Sequence, residues 1–275
     1  MLPRTLGCEG QPEARVTHAW NTVPGASVLQ ESNLWRSFCF SAAEKVGMSL
    51  LDRPVWSSLS TAHADLSLGD DLARRYKPDV NRFASARDDG ETAQRALARL
   101  VQPSEHVFIL QAQDIRIPSG LVAIKEAQGV QMVAHAPVAP PGEGADGIVA
   151  LSDRDAAEML ALATLTEPGP FLRHTHRMGR FFGVRVDGRL AAMAGERFHF
   201  PGHTEVSGVC THPDFRGHGL AKRLSRHVAA GIAARGETAF LHAWKSNDAA
   251  IALYHALGFR WRCDVNIAVL GRDPE

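Results

Sequence analysis

The sequence predicts an α/β fold: a mixed, mostly antiparallel sheet in its second half, preceded by a smaller α/β domain. Three observations carry that prediction. Strand-like runs between Arg180 and Thr211 are separated by Asp187-Gly188 and Pro201-Gly202, turn dipeptides that fold consecutive strands into an antiparallel meander. A helical stripe of Leu220, Leu224, Val228 and Ile232 then leads to the apolar run Thr238 to Trp244, a strand–helix–strand crossover that adds one parallel pair. Hydrophobic content of 45% beside 22% charged residues is ordinary for a chain that buries a core.

Taken in chain order, residues 1–47 mix Gly, Pro, Ser and isolated aromatics without a sustained period. They are expected to be a disordered extension, with Leu34 to Phe40 as a short docking helix at most. From 48 to 140 a first α/β domain is expected. Glu91 to Val101 shows helical spacing (Ala93, Ala96, Leu97, Leu100) and stops before Pro103. His106 to Gln111, Leu121 to Lys125 and Val130 to Ala134 read as three separate strands. Arg74, Arg75 and Tyr76 read as surface residues. The Pro- and Gly-rich segment from Ala136 to Gly147 reads as a linker, so a second domain is expected over 141–275.

In that second half, Ile148 to Leu151 is a short strand. Ser152 with Asp153 and Asp155 opens a helix that Pro168 and Pro170 stop. After the meander, the helix from Gly217 to Arg235 ends at Gly236, a C-cap residue. Strand Thr238 to Trp244, helix Asn247 to Leu257 and strand Phe259 to Leu270 complete the chain.

The charge balance narrows the function. Thirty basic and thirty acidic residues cancel; from Asp146 onward 16 basic face 14 acidic residues, leaving 14 against 16 before it. Neither part has the basic excess that phosphate-backbone binding leaves, so no nucleic-acid partner is expected. No apolar run reaches the roughly 18 residues of a membrane helix, and no membrane partner is expected. Four scattered cysteines form no C-x-x-C pair, which fits a reducing, cytoplasmic setting without a zinc cluster.

The most informative segment is VCTHPDFRGHGLAKRL, Val209 to Leu224, which joins a strand to a helix. Gly217 and Gly219 remove side chains where the backbone approaches an oxyanion. The unpaired amides of the first helical turn and the positive end of its dipole make an anion site. A Walker A loop would need Lys followed by Ser or Thr after the second glycine, and none is present. A dinucleotide fingerprint would need an acid ending the next strand, whereas Glu237 stands before it. A tight turn that binds nothing is the remaining alternative.

Arg216-Gly217-His218-Gly219-Leu220-Ala221 resembles the Arg/Gln-x-x-Gly-x-Gly/Ala turn of the GNAT superfamily of N-acetyltransferases. Asn247 to Phe259 is similar to that family's later N-x-x-A-x-x-L-Y-x-x-x-G-F stretch. Two motifs in order, about 30 residues apart around one strand, are far more specific than either alone. The likeness spans about 146 to 270 and lies nearest the glycine N-acyltransferase-like branch. It implies a GNAT-type sheet, with the first domain a candidate degenerate copy whose turn has been lost.

The resemblance also implies a ligand and roles. Acetyl-CoA is the implied co-substrate, with its pyrophosphate on Arg216 to Ala221 and no metal. Its pantetheine is expected along the backbone of Val209, Cys210 and Thr211 and against Asn247, with Val209 polarising the thioester carbonyl. Tyr254 is the expected general acid toward the departing thiolate, seven residues beyond Asn247 and on the same helix face. Packing and N-capping are the plain readings of the same two residues. For the general base, Glu205 is chosen over Glu196, His199 and His203. A covalent route through Cys210 lacks an activating base. The Arg173-His174-Thr175-His176-Arg177 run lacks a third metal ligand, and reads as a basic loop on the acceptor side.

The expected reaction is acetyl transfer to a small-molecule primary amine by direct attack. A CoA-binding regulatory module and a protein lysine or N-terminal acetyltransferase are the competing readings. Acceptor, acyl-chain length and oligomeric state are not written in the sequence.

Overall fold

The computed structural model describes residues 49–139 and 147–272. The extension expected over 1–47 and the middle of the expected linker lie outside the described residues.

The meander forms as its turns dictate. β6 (Ile148–Leu151), β7 (Phe181–Val186), β8 (Arg189–Phe200) and β9 (His203–Thr211) pair antiparallel in sequence order. Asp187 and Gly188 both sit at positive φ (49° and 78°), as a two-residue hairpin turn requires. Helix α4 (Leu220–Ala234) then crosses over to β10 (Thr238–Trp244), which runs parallel to β9. The Leu224, Val228 and Ile232 stripe of α4 is fully buried against the sheet, worth roughly 1.5–3 kcal/mol per side chain. Ser152 opens the helix as expected and makes a capping box with Asp155, leading into α3 (Ala156–Thr166) through one 3-10 turn.

The division at 141 does not divide the fold. The described residues on both sides of it form one compact unit, built on an eight-stranded sheet. Its order is β4 (His106–Gln111), β11 (Phe259–Arg272), β5 (Leu121–Ala134), β10, β9, β8, β7, β6. β5 is therefore inserted between β10 and β11, antiparallel to both, rather than sitting in a sheet of its own. The two apolar runs expected as separate strands in this region are one strand of 14 residues, because β11 continues the ladder through Glu126 to Gly129. Strand pairing is a backbone interaction and tolerates a polar interruption between apolar runs.

The first of the remaining early segments packs on the sheet face opposite α4. α1 (Pro54–Leu59), with Pro at its first position, buries Val55 and Leu59 against Tyr76, Phe83, Phe198, Phe200 and Phe240. A small three-stranded sheet, β1 (Ser67–Gly69), β2 (Ala73–Tyr76) and β3 (Ala84–Ala86), joins α2 (Glu91–Leu100) over β4 and β11. Tyr76 and Arg75 are buried in this layer, contrary to the surface reading. Tyr76 bonds Ser58 and His63, and Arg75 pairs with Glu105 at 2.5 Å. Of the expected linker, Val138 is buried against the α4 core.

Candidate active site

The phosphate-type turn is present and open. After β9, a 3-10 turn (Pro213–Phe215) leads to Arg216 in extended backbone, then Gly217 (φ 82°) and Gly219 (φ 71°) enter α4. A Cβ placed on either glycine would meet nothing within 4 Å, so positive φ and not crowding explains the residue choice. The amides of Leu220, Ala221 and Lys222 have no carbonyl one turn back, and Gly219 offers no side-chain cap. The His218 ring donates from Nδ1 to the Arg216 carbonyl at 3.0 Å, bracing the loop.

From this turn the molecule opens between two strands. β9 and β10 pair only at Thr238–His203, Ala239–Thr204 and Phe240–Glu205. Beyond that point β10 continues along β5 as far as Trp244–Gly129, and β9 diverges. On β9's other side the register against β8 slips between Ser207 and Cys210, so Gly208 and Val209 together oppose Ala194. Gly208 takes φ 61° at this bulge. The divergence leaves a cleft of about 270 Å³ lined by Val206 to Val209, His242 to Trp244, Asn247, Ala250 and Tyr254. Its other wall is Thr166 to Pro170 after α3, Arg197, and Phe83 and Phe108 from the early segment.

Two motif residues on α5 (Asp248–Ala256) face this cleft. Asn247 caps the helix, its Oδ1 accepting from the Ala250 amide at 3.1 Å, so the capping role and a cleft position coexist. Tyr254 lies two turns on, edge-to-face with Phe259 at 6.1 Å. Burial, aided by the nearby Glu205 charge, pushes its phenol up to about 12, so it holds its proton at neutral pH. Cys210 points to the opposite face into the α3 core, where burial raises its thiol to about 11. That environment disfavours a thiolate and removes the covalent route. Thr211 pairs with Ala192 and buries its hydroxyl without a partner among the described residues; neither it nor Cys210 lines the cleft.

Glu205 is not placed to take a proton. It is fully buried, and Arg197 donates to both its oxygens from Nε and Nη2 at 2.7 Å. His242 Nδ1 donates to Oε1 at 2.6 Å, and the Phe198 amide donates to Oε2 at 3.3 Å. Burial alone would raise this carboxyl, but the Arg197 charge and these donors overcome it and hold it at about 2. The expectation that Glu205 is the general base is therefore corrected. His242 is occupied as well: its Nε2 accepts from Gln131 Nε2 at 3.0 Å, a tautomer fixed by the partners on its two sides. Gln131 donates to the Leu51 carbonyl and accepts from Arg262, and Arg262 pairs with Asp52 at 2.5 Å. A polar chain thus runs under the cleft from Asp52 to Arg197.

Arg197, His242 and Glu167 were not singled out in the sequence. A hairpin turning at Pro201-Gly202 carries Arg197 back to within one residue of Glu205, which was the available signal. Nothing local marks Glu167, a left-handed residue (φ 47°) closing α3, whose carboxylate has no protein partner among the described residues. Glu196 and His199 both join a structural network with Arg235 and Glu237. In the basic loop, His174 pairs with Asp79 and His176 with Asp153. Among the described residues no cluster suits a metal ion, and no helix is long and apolar enough to cross a membrane.

Comparison with known proteins follows this geometry. The family model described as FR47-like protein matches residues 182–267, the span from β7 into β11. A crystal structure of a putative acetyltransferase from the GNAT family of Novosphingobium aromaticivorans DSM 12444 is 45% identical. It covers 82% of this chain and 100% of its own, with a TM-score of 0.77. A GCN5-related N-acetyltransferase from Kribbella flavida shares the fold at 18% identity, covering 83% and 98% of the two chains with a TM-score of 0.55. No curated protein matches the chain.

Proposed function

The chain belongs to the GNAT family of acetyltransferases, and from that premise we propose that it transfers acetyl from acetyl-CoA directly to the primary amine of a small molecule. The observation that supports this most is the continuity of the site. An open anion-binding helix start leads into a strand divergence, and a protonated phenol lines that divergence. A pyrophosphate suits the first-turn amides and the left-handed glycines, and an extended pantetheine arm suits the gap between β9 and β10. The bulge at Gly208 and Val209 frees β9 backbone from the β8 ladder beside the cleft, where a donor to the thioester oxygen is needed.

In this reading Tyr254 gives its proton to the departing thiolate as the tetrahedral adduct collapses to the amide and free CoA thiol, and the proton that the nitrogen sheds in that collapse restores the phenol. Glu167, on the cleft's other wall, removes the ammonium proton so that the neutral amine attacks. Its unpaired carboxylate is the feature that supports the assignment over Glu205. Release of free thiol from acetyl-CoA, dependent on an added amine, is the test. Binding of acetyl-CoA without thiol release across a broad amine panel would instead favour the regulatory-module reading.

A further inference from the structure

The loop after α3 presents its residues to two different spaces. Phe171 and Thr175 line a small pocket beside Arg197 at the cleft wall. Arg173, His174, His176 and Arg177 instead line an open pocket of about 440 Å³. Its other wall is the start of α3, from Asp153 and Arg154 to Ala156, Ala157 and Leu160. None of these residues lines the cleft, and α3 spans roughly 16 Å between this pocket and the cleft wall at Thr166. The basic run therefore turns its charge away from the acceptor side, where the sequence reading put it. Three guanidiniums face one carboxylate in this pocket. Asp153 is held at about 2 by Arg177 and His176, which occupy its two oxygens at 3.0 Å and 2.5 Å. The other acids of the helix start, Asp155 and Glu158, both pair with Arg185, and His174 pairs with Asp79. Arg154 and Arg173 are exposed, and neither guanidinium has a hydrogen bond or ion pair among the described residues. His176 is the one buried residue of the lining, and its Nδ1 is enclosed without a partner among the described residues.

We propose that this outer pocket binds the phosphate of a small phosphate monoester, at a second site that does not depend on the transfer reading. Arg154 and Arg173 come from two different elements, and the three terminal oxygens of a phosphate can take a planar fork from each. A carboxylate offers two oxygens in one plane, which a single fork satisfies. The excess of positive charge also favours a dianion over a monoanion. His176 Nδ1 would gain the partner it lacks, directly or through one water. A volume of about 440 Å³ suits a small ligand rather than a bare ion. Ala156, Ala157 and Leu160 give the pocket an apolar side, so the body of the ester is apolar.

The test uses the full chain in excess CoA, which keeps the glycine turn before α4 from competing for phosphate, and titrates phenyl phosphate by calorimetry. Binding with a Kd of about 1 mM or tighter is expected. Inorganic phosphate and benzoate should each bind about tenfold more weakly, the first for want of the ring and the second for want of the third oxygen. Arg154→Ala with Arg173→Ala removes two exposed side chains and leaves the core untouched. It should weaken phenyl phosphate by about tenfold or more, the scale of a charge-assisted hydrogen bond, without changing the melting temperature. Should the pair fail to fold, either single substitution is expected to give a smaller loss in the same direction. No binding of phenyl phosphate to the native protein at millimolar concentration overturns the proposal, and so does undiminished affinity in a folded variant. Binding that CoA abolishes would place the phosphate on the glycine turn and leave the outer pocket empty, which also refutes it. Benzoate matching phenyl phosphate would defeat the choice of phosphate, and inorganic phosphate matching it would defeat the choice of an ester.

Discussion

The helix start proposed to receive the coenzyme and the wall proposed to face the acceptor are built in opposite ways. The first is backbone: two left-handed glycines and the unpaired amides of one helical turn, all within Arg216 to Lys222. The second is side chains from distant elements: Phe83 from the early segment, Glu167 after α3, Arg197 on β8, Glu205 on β9 and His242 on β10. The first is exposed and tolerates its surroundings. Apart from the exposed Glu167, the second is buried or half-buried and interdependent, so a change to Arg197, Glu205 or His242 should disturb the other two. Four substitutions probe that contrast.

The largest effect is expected where the two halves meet. Tyr254→Phe should lower kcat by about 10²–10⁴-fold and leave acetyl-CoA affinity nearly unchanged, because the phenol acts only as the C–S bond breaks. Single-turnover kinetics beside calorimetry would show this. A loss below about threefold, with chemistry rate-limiting, would make Tyr254 a packing residue.

Next comes the buried wall. Glu205→Gln leaves the Arg197 guanidinium without a counterion at a site where the carboxyl is fully buried and the guanidinium 12% exposed. A stability loss of about 3–5 kcal/mol is expected in denaturant titration, with the Arg197→Gln/Glu205→Gln pair recovering much of it. The native protein should show the same dependence on acid. Glu205 is held below its ordinary value of 4.5, at about 2, so its contribution is full above pH 4.5. It is lost as pH falls from 4.5 through 2, and the variant's melting temperature should fall less over that window.

Glu167→Gln should be smaller. As a rim residue with no protein partner, it should fold normally and lose about 100-fold in kcat/KM, near the low end for a general base. Glu167→Asp should restore part of that loss, and unchanged kinetics in the Gln variant would return the proton to solvent. The mildest change is expected at the turn. Gly219→Val forces a β-branched residue to φ 71° with open space around it. Strain of about 1–2 kcal/mol should lower the melting temperature by a few degrees, and the displaced turn should weaken CoA binding roughly tenfold by calorimetry. A collapse of the fold would mean that the turn carries more of the structure than its exposure implies.

How much was legible follows the same line. The strands of the meander, α4 and the phosphate turn could be read because hydrophobic period, turn dipeptides and glycine placement are local signals. α1 and the three-stranded sheet could not. Their segments are six residues or fewer, and Val55, Tyr76 and Phe83 become core only when β8 and β10 cover them. Glu205 was found and given the wrong role. A carboxylate in an apolar strand looks like a reactive group until its cation is known, and that cation sits across a bulged hairpin.

The sequence by itself determined the sheet's second half, the order of its turns, the open glycine turn before α4 and the position of Tyr254 two turns beyond a helix cap. Each of these depends on residues within one or two turns of each other, where spacing fixes geometry. Only the tertiary structure decided that β5 enters the sheet between β10 and β11, and that Asp52, Gln131, Arg262 and His242 connect beneath the cleft. Strand pairing is made by backbone groups that every residue carries, so a sequence does not name its partner strand. A buried charge selects its partners by proximity across the sheet, at separations no local pattern records: Asp52 and Arg262 are 210 residues apart and 2.5 Å from contact atom to contact atom.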